Sequence, residues 1–330
     1  MIKFFPNLTK MKNNSLEEIA EILNSAEKVA IFCHIRPDGD AIGSGLALLL
    51  ALENLGKTAY MCCDEFDPTK FLFLSAVSKI KTHLPEIDFD AFVTVDCADV
   101  ARLGIYQRDY VKMKGVTVNI DHHISNDGYG KYNCVTQCTA TCEIVTRLFK
   151  VSDWQVTNDI ANLLMLGLIT DSGNFTHSDV TPETYRLAAF LREKGADCNL
   201  INYQMFTRQP KQRALLYGKV MSKMRFLLDD RFAIITISLS DLQSVGAEKS
   251  MTEGFVDFPL TVDGVQVAAS VMEYREGQYK VSLRSKGKVN VNAVASTFGG
   301  GGHVLASGCM LFGSLEEVID RLTYAVYQNI

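Results

Sequence analysis

Histidine and aspartate are concentrated in a short stretch near the start of the chain. Residues 33–44 read CHIRPDGDAIGS and place His34, Asp38 and Asp40 directly after the apolar run VAIF. An Asp-Gly turn would explain part of this composition by backbone geometry alone. As a set of donors, however, imidazole and carboxylate groups suit hard to borderline divalent cations such as Mn²⁺ or Mg²⁺.

Three more apolar runs end on the same residue types. The runs are AFVTV, VTVNI and LLMLGLIT, and the residues that follow them are Asp96, Asp121, His122, His123 and Asp171. Because ligands bind outside the carboxyl ends of the strands in an open parallel sheet, we expect these side chains to converge with those of the first stretch. Carboxylates gathered at one edge repel one another and lose solvation unless a cation compensates them. The sequence therefore predicts a metal site, and such chemistry favours phosphate substrates.

The elements that must position these residues alternate between strand and helix in the first half of the chain. VAIFC, TAYMC, AFVTVD and VTVNID read as strands, and helices are predicted at 41–56, 139–149, 158–169 and 183–194. This order is typical of an α/β domain with a parallel sheet and helices on both faces.

The second half reads as a smaller α/β domain with a mixed sheet. RFAIITIS, the two halves of VQVAASVMEYREGQYKVSLRS, and VLASGCMLF are predicted strands, followed by a helix at 314–327. A mixed polar stretch containing a proline separates the halves, so we predict domains at 1–195 and 213–330 with a linker at 196–212. The run STFGGGGH at 296–303 is a candidate phosphate site, because glycines let backbone amides crowd around an anion.

Composition excludes several classes of protein. The formal net charge of −5 argues against non-specific coating of long nucleic acid, which needs a broad basic surface. The N-terminal stretch MIKFFPNLTKMKNNS has no apolar export signal, and no later stretch is apolar enough to span a bilayer, so we predict a cytoplasmic protein. The nine cysteines include no CxxC pair and indicate reduced thiols. We interpret Cys134, Cys138 and Cys142, spaced four apart, as packing residues on one helix face.

Four stretches resemble, in order, the four motifs of the DHH phosphoesterase superfamily: HIRPDGDAIGS, VTVDCAD, NIDHH and ITDSGNF. In the second half, VSLRS and GGGGHVLASG resemble the C-terminal DHHA1 domain of the nanoRNase and pAp-phosphatase branch. Ordered motifs with a paired C-terminal signature are far more specific than the tripeptide DHH alone. The resemblance covers nearly the whole chain and implies an active site in the cleft between a DHH domain and a DHHA1 domain.

The resemblance also implies two divalent metal ions, with Mn²⁺ favoured and Mg²⁺ or Co²⁺ as alternatives. One ion would be held by His34, Asp38 and Asp96, and the other by Asp40, Asp96, His122 and Asp171. Asp121 would support the site and His123 would face the scissile phosphate, so that Asp96, Asp121 and His123 are the implied catalytic residues. The implied reaction is hydrolysis by two metals that lower the pKa of a shared water.

Substrate binding is implied for the C-terminal half, where a second phosphate or a nucleotide would be held. The residues are Arg284, Ser285, Gly300, Gly301, Gly302 and His303. Arginine suits this role because its guanidinium binds phosphate in a bidentate manner. We interpret the neighbouring Arg275, Lys280, Lys286 and Lys288 as charges that protect an exposed hairpin edge from pairing with another strand.

The implied function is a Mn²⁺-dependent phosphoesterase that releases mononucleotides 5′ to 3′ from short RNA, or removes the 3′ phosphate of 3′-phosphoadenosine 5′-phosphate (pAp). Three alternatives stay open: a cyclic di-AMP or pApA phosphodiesterase, an inorganic pyrophosphatase, which the GGGH signature disfavours, and an inactive nucleotide-binding protein. The predicted partners are short RNA or DNA oligonucleotides or small nucleotides, without long nucleic acid or membrane. A homodimer is left open, and His177 and Asn126 receive no assigned role.

Overall fold

The computed structural model of the protein describes residues 13–112 and 115–330. The chain divides into two compact units between Arg208 and Gln209, a point inside the stretch 196–212. That stretch is largely helical rather than extended, and its Ile201 is fully buried in the core of the N-terminal unit.

The N-terminal unit is built on a five-stranded sheet in the order β2-β1-β3-β4-β5, in which every neighbouring pair is parallel. Its strands are β1 (Lys28–Phe32), β2 (Thr58–Cys62), β3 (Ala91–Val95), β4 (Val116–Asp121) and β5 (Tyr132–Val135). Its helices are α1 (Leu16–Ser25), α2 (Gly39–Asn54), α3 (Gln107–Lys112), α4 (Thr141–Val151), α5 (Asn158–Asp171), α6 (Pro182–Glu193) and α7 (Cys198–Asn202). Short 3₁₀ segments at Pro68–Phe71, Ser75–Lys79 and Val100–Tyr106 and a π-helical turn at Tyr203–Thr207 complete it.

Both faces of this sheet are covered, as predicted. Along β1, Val29 and Ile31 pack in one apolar cluster, while Ala30 and Phe32 pack in a second cluster on the opposite face. Successive side chains of a strand point to opposite faces, so each face of the sheet has its own core. The helix predicted from residue 41 begins at Gly39, because the Asp38 side chain accepts hydrogen bonds from the first amides and caps the helix.

The C-terminal unit contains a six-stranded mixed sheet in the order β10-β11-β9-β8-β7-β6. Its strands are β6 (Arg225–Leu227), β7 (Phe232–Ile237), β8 (Val267–Arg275), β9 (Gln278–Ser285), β10 (Gly301–Gly302) and β11 (Ala306–Phe312). Its helices are α8 (Lys211–Met221), α9 (Leu239–Val245), α10 (Val291–Ser296) and α11 (Leu315–Tyr327). Only β7 and β8 pair in parallel, and α10 and α11 pack their apolar residues on one face of the sheet. The predicted α/β architecture of both halves is confirmed.

Two predictions about local structure were wrong. Cys134, Cys138 and Cys142 do not share a helix face, because Cys134 lies in β5, Cys138 in the following loop and Cys142 in α4. The hairpin of β8 and β9 is not a sheet edge, because β7 and β11 flank it on either side. Protection of an edge therefore does not explain the basic residues of this hairpin.

The cysteines are all unbridged, and burial raises the pKa of most of their thiols, first among them Cys33 and Cys142. Among the residues described, no helix combines the length and apolar character needed to cross a membrane. The stretch used to predict the absence of an export signal lies mostly in residues 1–12, outside the described residues.

Candidate metal centre

The predicted site residues converge at the carboxyl edge of the N-terminal sheet. His34 follows β1, Asp96 follows β3, and His122 follows β4, whose last residue is Asp121. These strands are parallel, so their ends lie at the same edge. The remaining groups come from helix ends: Asp38 and Asp40 from the start of α2, and Asp171 from the last residue of α5.

One group of side chains surrounds His34. Its Nε2 lies 3.6 Å from Asp38 Oδ2 and 3.7 Å from Asp96 Oδ2. Asp96 is fully buried, whereas the Asp38 side chain is largely exposed. The three residues present ligand atoms within 4.8 Å of one another, a spacing that a single cation could bridge.

A second group surrounds His122. Its Nε2 lies 3.5 Å from Asp96 Oδ1 and 3.4 Å from Asp171 Oδ2. Asp40, His122 and Asp171 also present ligand atoms within 4.8 Å of one another. The two oxygens of Asp96 therefore face different histidines, which is the geometry that a carboxylate shared between two ions needs.

Asp40 is held by the start of α4, a contact that the sequence did not predict. The backbone amides of Thr141 and Cys142 donate to Asp40 Oδ2 and Oδ1 at 2.5 and 2.8 Å. The Thr141 hydroxyl also donates to Asp96 Oδ1 at 3.1 Å. The first amides of a helix have no partner within it, so α4 supplies them to the fully buried Asp40.

The two candidate ligand histidines have fixed tautomers. The Nδ1 of His34 lies 2.8 Å from the carbonyl oxygen of Ile35, and the Nδ1 of His122 lies 3.1 Å from that of Cys138. Because a carbonyl only accepts, Nδ1 carries the proton in both rings. In the neutral ring, the lone pair of Nε2 then faces the carboxylates, which is the arrangement found in histidines that bind metals.

Asp121 and His123 form a pair that adjoins the second group, because His123 Nδ1 also lies 3.7 Å from Asp96 Oδ1, and Asp96, Asp121, His122 and His123 present ligand atoms within 4.8 Å of one another. The Nδ1 of His123 lies 2.8 Å from Asp121 Oδ1, and the Asn126 amide donates to Asp121 Oδ2 at 2.6 Å. Burial opposes ionisation of Asp121, but the hydrogen bonds from His123 and Asn126 outweigh it and lower its pKa. The hydrogen bond to Asp121 in turn raises the pKa of His123, whose side chain is one-third exposed (34%).

Asn126 is thus a supporting residue whose part the sequence left undecided. It is buried, and its amide also donates to the carbonyl oxygen of Cys97, directly after Asp96. Its own oxygen accepts from Asn119 of β4. Asn126 therefore connects the segments that follow β3 and β4.

The backbone at Asp96 lies in the left-handed region, with a φ of 51°. Apart from glycine, aspartate and asparagine adopt this conformation more readily than other residues. The residue that both histidine groups share is therefore one of the types that its backbone conformation favours.

The carboxylates strongly perturb one another. Burial, followed by the charges of Asp96 and Asp38, raises the pKa of Asp171 to about 8. Burial and the charges of Asp96 and Asp171 also raise the pKa of Asp40 well above its ordinary range. Burial alone would lower the pKa of His34, but the carboxylates of Asp38 and Asp96 raise it to about 10.

A divalent cation fits this donor set. The ligand atoms of the two groups are carboxylate oxygens and imidazole nitrogens, without a thiolate, which matches hard to borderline ions. A bound cation would also compensate the repulsion that raises the pKa values of Asp40 and Asp171. The ligand roles of the individual residues remain predictions.

The raised pKa values predict how metal affinity depends on pH. At pH 7 the metal-free site holds protons on His34 and Asp171, whose pKa values are about 10 and about 8. Because a cation must displace these protons, we expect the apparent affinity for Mn²⁺ to rise about tenfold or more per pH unit between about pH 6 and pH 8. Titration calorimetry in buffers of different ionisation enthalpy measures both the affinity and the protons released. An affinity that does not change with pH, without proton release, would contradict this expectation.

The same shifts set the pH dependence of stability without metal. The native state keeps protons that the unfolded chain loses, so the free energy of unfolding should fall as pH rises. This fall extends from pH 3.8 to about 8 for Asp171 and from 6.5 to about 10 for His34. Thermal unfolding in the presence of a chelator, repeated across this pH range, measures the fall in the free energy of unfolding.

The structure places the predicted substrate residues of the C-terminal unit in differing environments. Arg284 is partly exposed, and its Nε lies 3.2 Å from Asp257 Oδ1. Ser285 is buried, and its hydroxyl oxygen accepts from the amides of Gly287 and Val289. His303 is exposed beside Gly301 and Gly302. Substrate binding by these residues remains a prediction.

The glycine run has a structural explanation of its own. A Cβ on Gly300 would lie 2.2 Å from the carbonyl oxygen of Gly308, and Gly302 has a φ of 149°. These positions therefore require glycine where β10 pairs with β11. The amides of Gly299, Gly300 and His303 donate to carbonyl oxygens within the chain, which leaves fewer amides for an anion.

His177 lies next to the metal cluster in the chain but is exposed. Its Nδ1 is 2.7 Å from the carbonyl oxygen of Asp171, so the ring has a backbone partner that the sequence did not identify. The structure brings no carboxylate side chain within ion-pair distance of it among the described residues.

Comparison with known proteins agrees with this architecture. Residues 28–168 match the DHH family, N-terminal domain, and residues 231–330 match the DHHA1 domain. The chain therefore belongs to the DHH family of phosphoesterases that carry a C-terminal DHHA1 domain, and it is a hydrolase acting on phosphate esters. Within this family it lies in the NrnA-like branch.

Individual relatives support this placement. The bifunctional oligoribonuclease and PAP phosphatase NrnA of Thermus thermophilus is 33% identical over 317 residues, covering 94% of this chain and 93% of the relative. The cyclic-di-AMP phosphodiesterase GdpP of Bacillus subtilis is 24% identical and covers 93% of this chain but 49% of the relative. The crystal structure of an exopolyphosphatase-related protein from Bacteroides fragilis superposes with a TM-score of 0.80 at 26% identity, covering 95% of each chain.

Proposed function

We propose that this chain is a Mn²⁺-dependent phosphoesterase of short oligonucleotides and of pAp. Its reactions are the release of mononucleotides from the 5′ end of short RNA and removal of the 3′ phosphate of pAp. A cytoplasmic location belongs to the same proposal as a prediction.

One observation carries the proposal. The shared Asp96 lies between two histidine–carboxylate groups at the edge of the sheet, in a chain whose 33%-identical relative over most of its length is named an oligoribonuclease and PAP phosphatase. Two-metal sites of this kind hydrolyse phosphate esters. The same cluster argues against an inactive nucleotide-binding protein, because no carboxylate of the predicted set is missing.

The residues of the cluster at the edge of the N-terminal sheet divide the work of this reaction. His34, Asp38, Asp40, Asp96, His122 and Asp171 would hold two divalent ions, which when bound activate water and neutralise charge on the phosphoryl oxygens. His123 has its Nδ1 held by Asp121, so its Nε2 is free to hydrogen-bond the phosphate. Asp121 positions that ring, and Asn126 holds Asp121.

A second candidate is phosphodiester hydrolysis of cyclic di-AMP or pApA. The similarity to a cyclic-di-AMP phosphodiesterase over 93% of this chain favours it. This chain spans about half the length of that relative, so the similarity covers only part of the relative.

A substrate panel distinguishes these candidates. Purified full-length protein with Mn²⁺ would be incubated with pAp, pApA, RNA of a few nucleotides, cyclic di-AMP and pyrophosphate. We expect turnover of short RNA and pAp to be fastest. Rapid turnover of pyrophosphate alone would contradict the proposal, and turnover of cyclic di-AMP alone would favour the second candidate. The same panel with a chelator instead of Mn²⁺ provides the control.

A further inference from the structure

The residues that lead into α4 contact three of the four side chains predicted to hold the second ion. The carbonyl oxygen of Cys138 lies 3.1 Å from His122 Nδ1, and the Thr141 amide donates to Asp40 Oδ2. The Thr141 hydroxyl donates to Asp96 Oδ1 at 3.1 Å. Thr141 thus connects a ligand of the His122 group with the carboxylate that both histidine groups share.

The hydroxyl of Thr141 acts on one oxygen of that shared carboxylate. Thr141 is fully buried, and its hydroxyl makes no second hydrogen bond in the described part of the chain. Since an ionised carboxylate only accepts, the hydroxyl is the donor. Asp96 Oδ1 also faces His122 at 3.5 Å, whereas Asp96 Oδ2 faces His34 at 3.7 Å. The hydrogen bond therefore orients the oxygen on the side of His122.

This contact differs from the usual use of threonine at the start of a helix. A threonine hydroxyl there normally caps the helix by accepting from one of the first amides. The residue before α4 is Ala140, which has no such group, and Asp40 accepts from the amides of Thr141 and Cys142 instead. Because Asp40 satisfies these amides, the Thr141 hydroxyl is available to hold Asp96.

The start of α4 is itself fixed by contacts with α6 and the turn before it. The Thr139 hydroxyl donates to the carbonyl oxygen of Asp179, and the Thr184 hydroxyl donates to the buried carboxylate of Glu143 at 3.0 Å. These contacts lie two residues before and two residues after Thr141. They give its hydroxyl a fixed position from which to orient Asp96.

We infer that Thr141 is a positioning residue whose hydroxyl holds Asp96 so that Oδ1 is presented to the ion beside His122. The inference rests on the proposed function, in which the two histidine groups bind two ions. It also has a direction: the ion beside His122 depends on the Thr141 hydroxyl, whereas the ion beside His34 does not. Residues that orient a metal ligand typically change metal affinity or activity by about 10- to 100-fold when they are replaced.

Mn²⁺ binding by Thr141→Val tests this inference without turnover, because valine has nearly the shape of threonine and lacks the hydroxyl. Titration calorimetry of the full-length protein should resolve two binding steps. In Thr141→Val we expect one step to weaken about tenfold or more and the other to stay within about twofold. The exchange-coupled signal in electron paramagnetic resonance should then need about tenfold more free Mn²⁺. Thr141→Ser keeps the hydroxyl and should restore both readouts.

Thr146→Val is the matched control. Thr146 is equally buried in α4, and its hydroxyl donates to the carbonyl oxygen of Cys142. It makes no hydrogen bond to a carboxylate among the described residues, so both binding steps should stay unchanged. Thermal unfolding with a chelator verifies that each variant is folded. Thr141→Ala repeats the test with a smaller side chain if valine disturbs the start of α4.

Turnover separates this inference from the proposed function. In Thr141→Val we expect kcat on short RNA to fall about tenfold or more at the Mn²⁺ concentration that saturates the unmodified protein, and to recover as Mn²⁺ is raised. Two unchanged binding steps, or two steps weakened equally, in a variant of a protein that hydrolyses short RNA would overturn the role of Thr141 alone. A selective loss that Thr141→Ser restores, in a protein that hydrolyses none of the panel, would support that role and overturn the proposed function.

Discussion

Asp96→Asn is expected to lower kcat on the best substrate of the panel by about 10³-fold or more, a loss of about 4 kcal/mol or more of transition-state stabilisation. The two oxygens of Asp96 face His34 and His122, so this substitution weakens both groups of ligands at once. Asparagine adopts the left-handed conformation observed at residue 96, so the backbone is preserved. Steady-state kinetics with saturating Mn²⁺ measures the loss.

Stability distinguishes loss of the metal site from loss of the fold. Without metal, Asp96→Asn should unfold at a temperature similar to that of the unmodified protein, because it removes a charge that raises the pKa values of Asp40 and Asp171 and, at the same time, one that stabilises protonated His34. Asp90→Asn is a matched control at the other end of β3, where the carboxylate accepts from the amides of Glu27 and Lys28. It should change kcat by no more than about twofold. Full activity in Asp96→Asn would refute the shared-ligand role.

His123→Ala is expected to lower kcat by about 10²- to 10³-fold while leaving metal binding intact. The hydrogen bond to Asp121 raises the pKa of His123, so its imidazolium suits donation to a phosphate oxygen or to the leaving group. It is not among the side chains assigned to the two ions. The stabilisation that Mn²⁺ gives against thermal unfolding should therefore be retained. His83→Ala, at an exposed histidine away from the cluster, provides the control.

The hydrogen bond between Asp121 and His123 allows a second test of the role of His123. Asp121→Asn should by itself lower kcat, because asparagine cannot hold the imidazolium as a carboxylate does. In the double variant Asp121→Asn, His123→Ala, the loss should be close to that of His123→Ala alone, since the two residues act as a unit. Fully additive losses would show that Asp121 acts independently of His123.

The convergence of the site could be predicted because the relevant residues follow buried parallel strands. Once β1, β3 and β4 are parallel neighbours, His34, Asp96 and His122 must lie at one edge. The apolar runs that form these strands are evident in the sequence, as is the helical run ending at Asp171. The strands and the helix that position the site residues therefore also have the clearest apolar runs in the sequence.

The supporting contacts could not be predicted, because they depend on weakly patterned segments. The amides that hold Asp40 come from residues about a hundred positions later in the chain, at the start of α4, where no capping side chain marks the helix. β5 is only four residues long, and Cys134 in it was assigned to a helix. Lys280 lies on an inner strand, because β9 is flanked by β8 and β11 in the sheet. Alternating charges in a hairpin do not reveal this strand order.

The stoichiometry and coupling of bound Mn²⁺ test the central claim most directly. Equilibrium dialysis of the full-length protein, with electron paramagnetic resonance of the same samples, measures how many ions bind and whether they interact. We predict two Mn²⁺ per chain with an exchange-coupled signal, and loss of that coupling in Asp96→Asn but not in Asp90→Asn. A single uncoupled Mn²⁺ per chain in a fully active protein would contradict the two-ion site shared through Asp96.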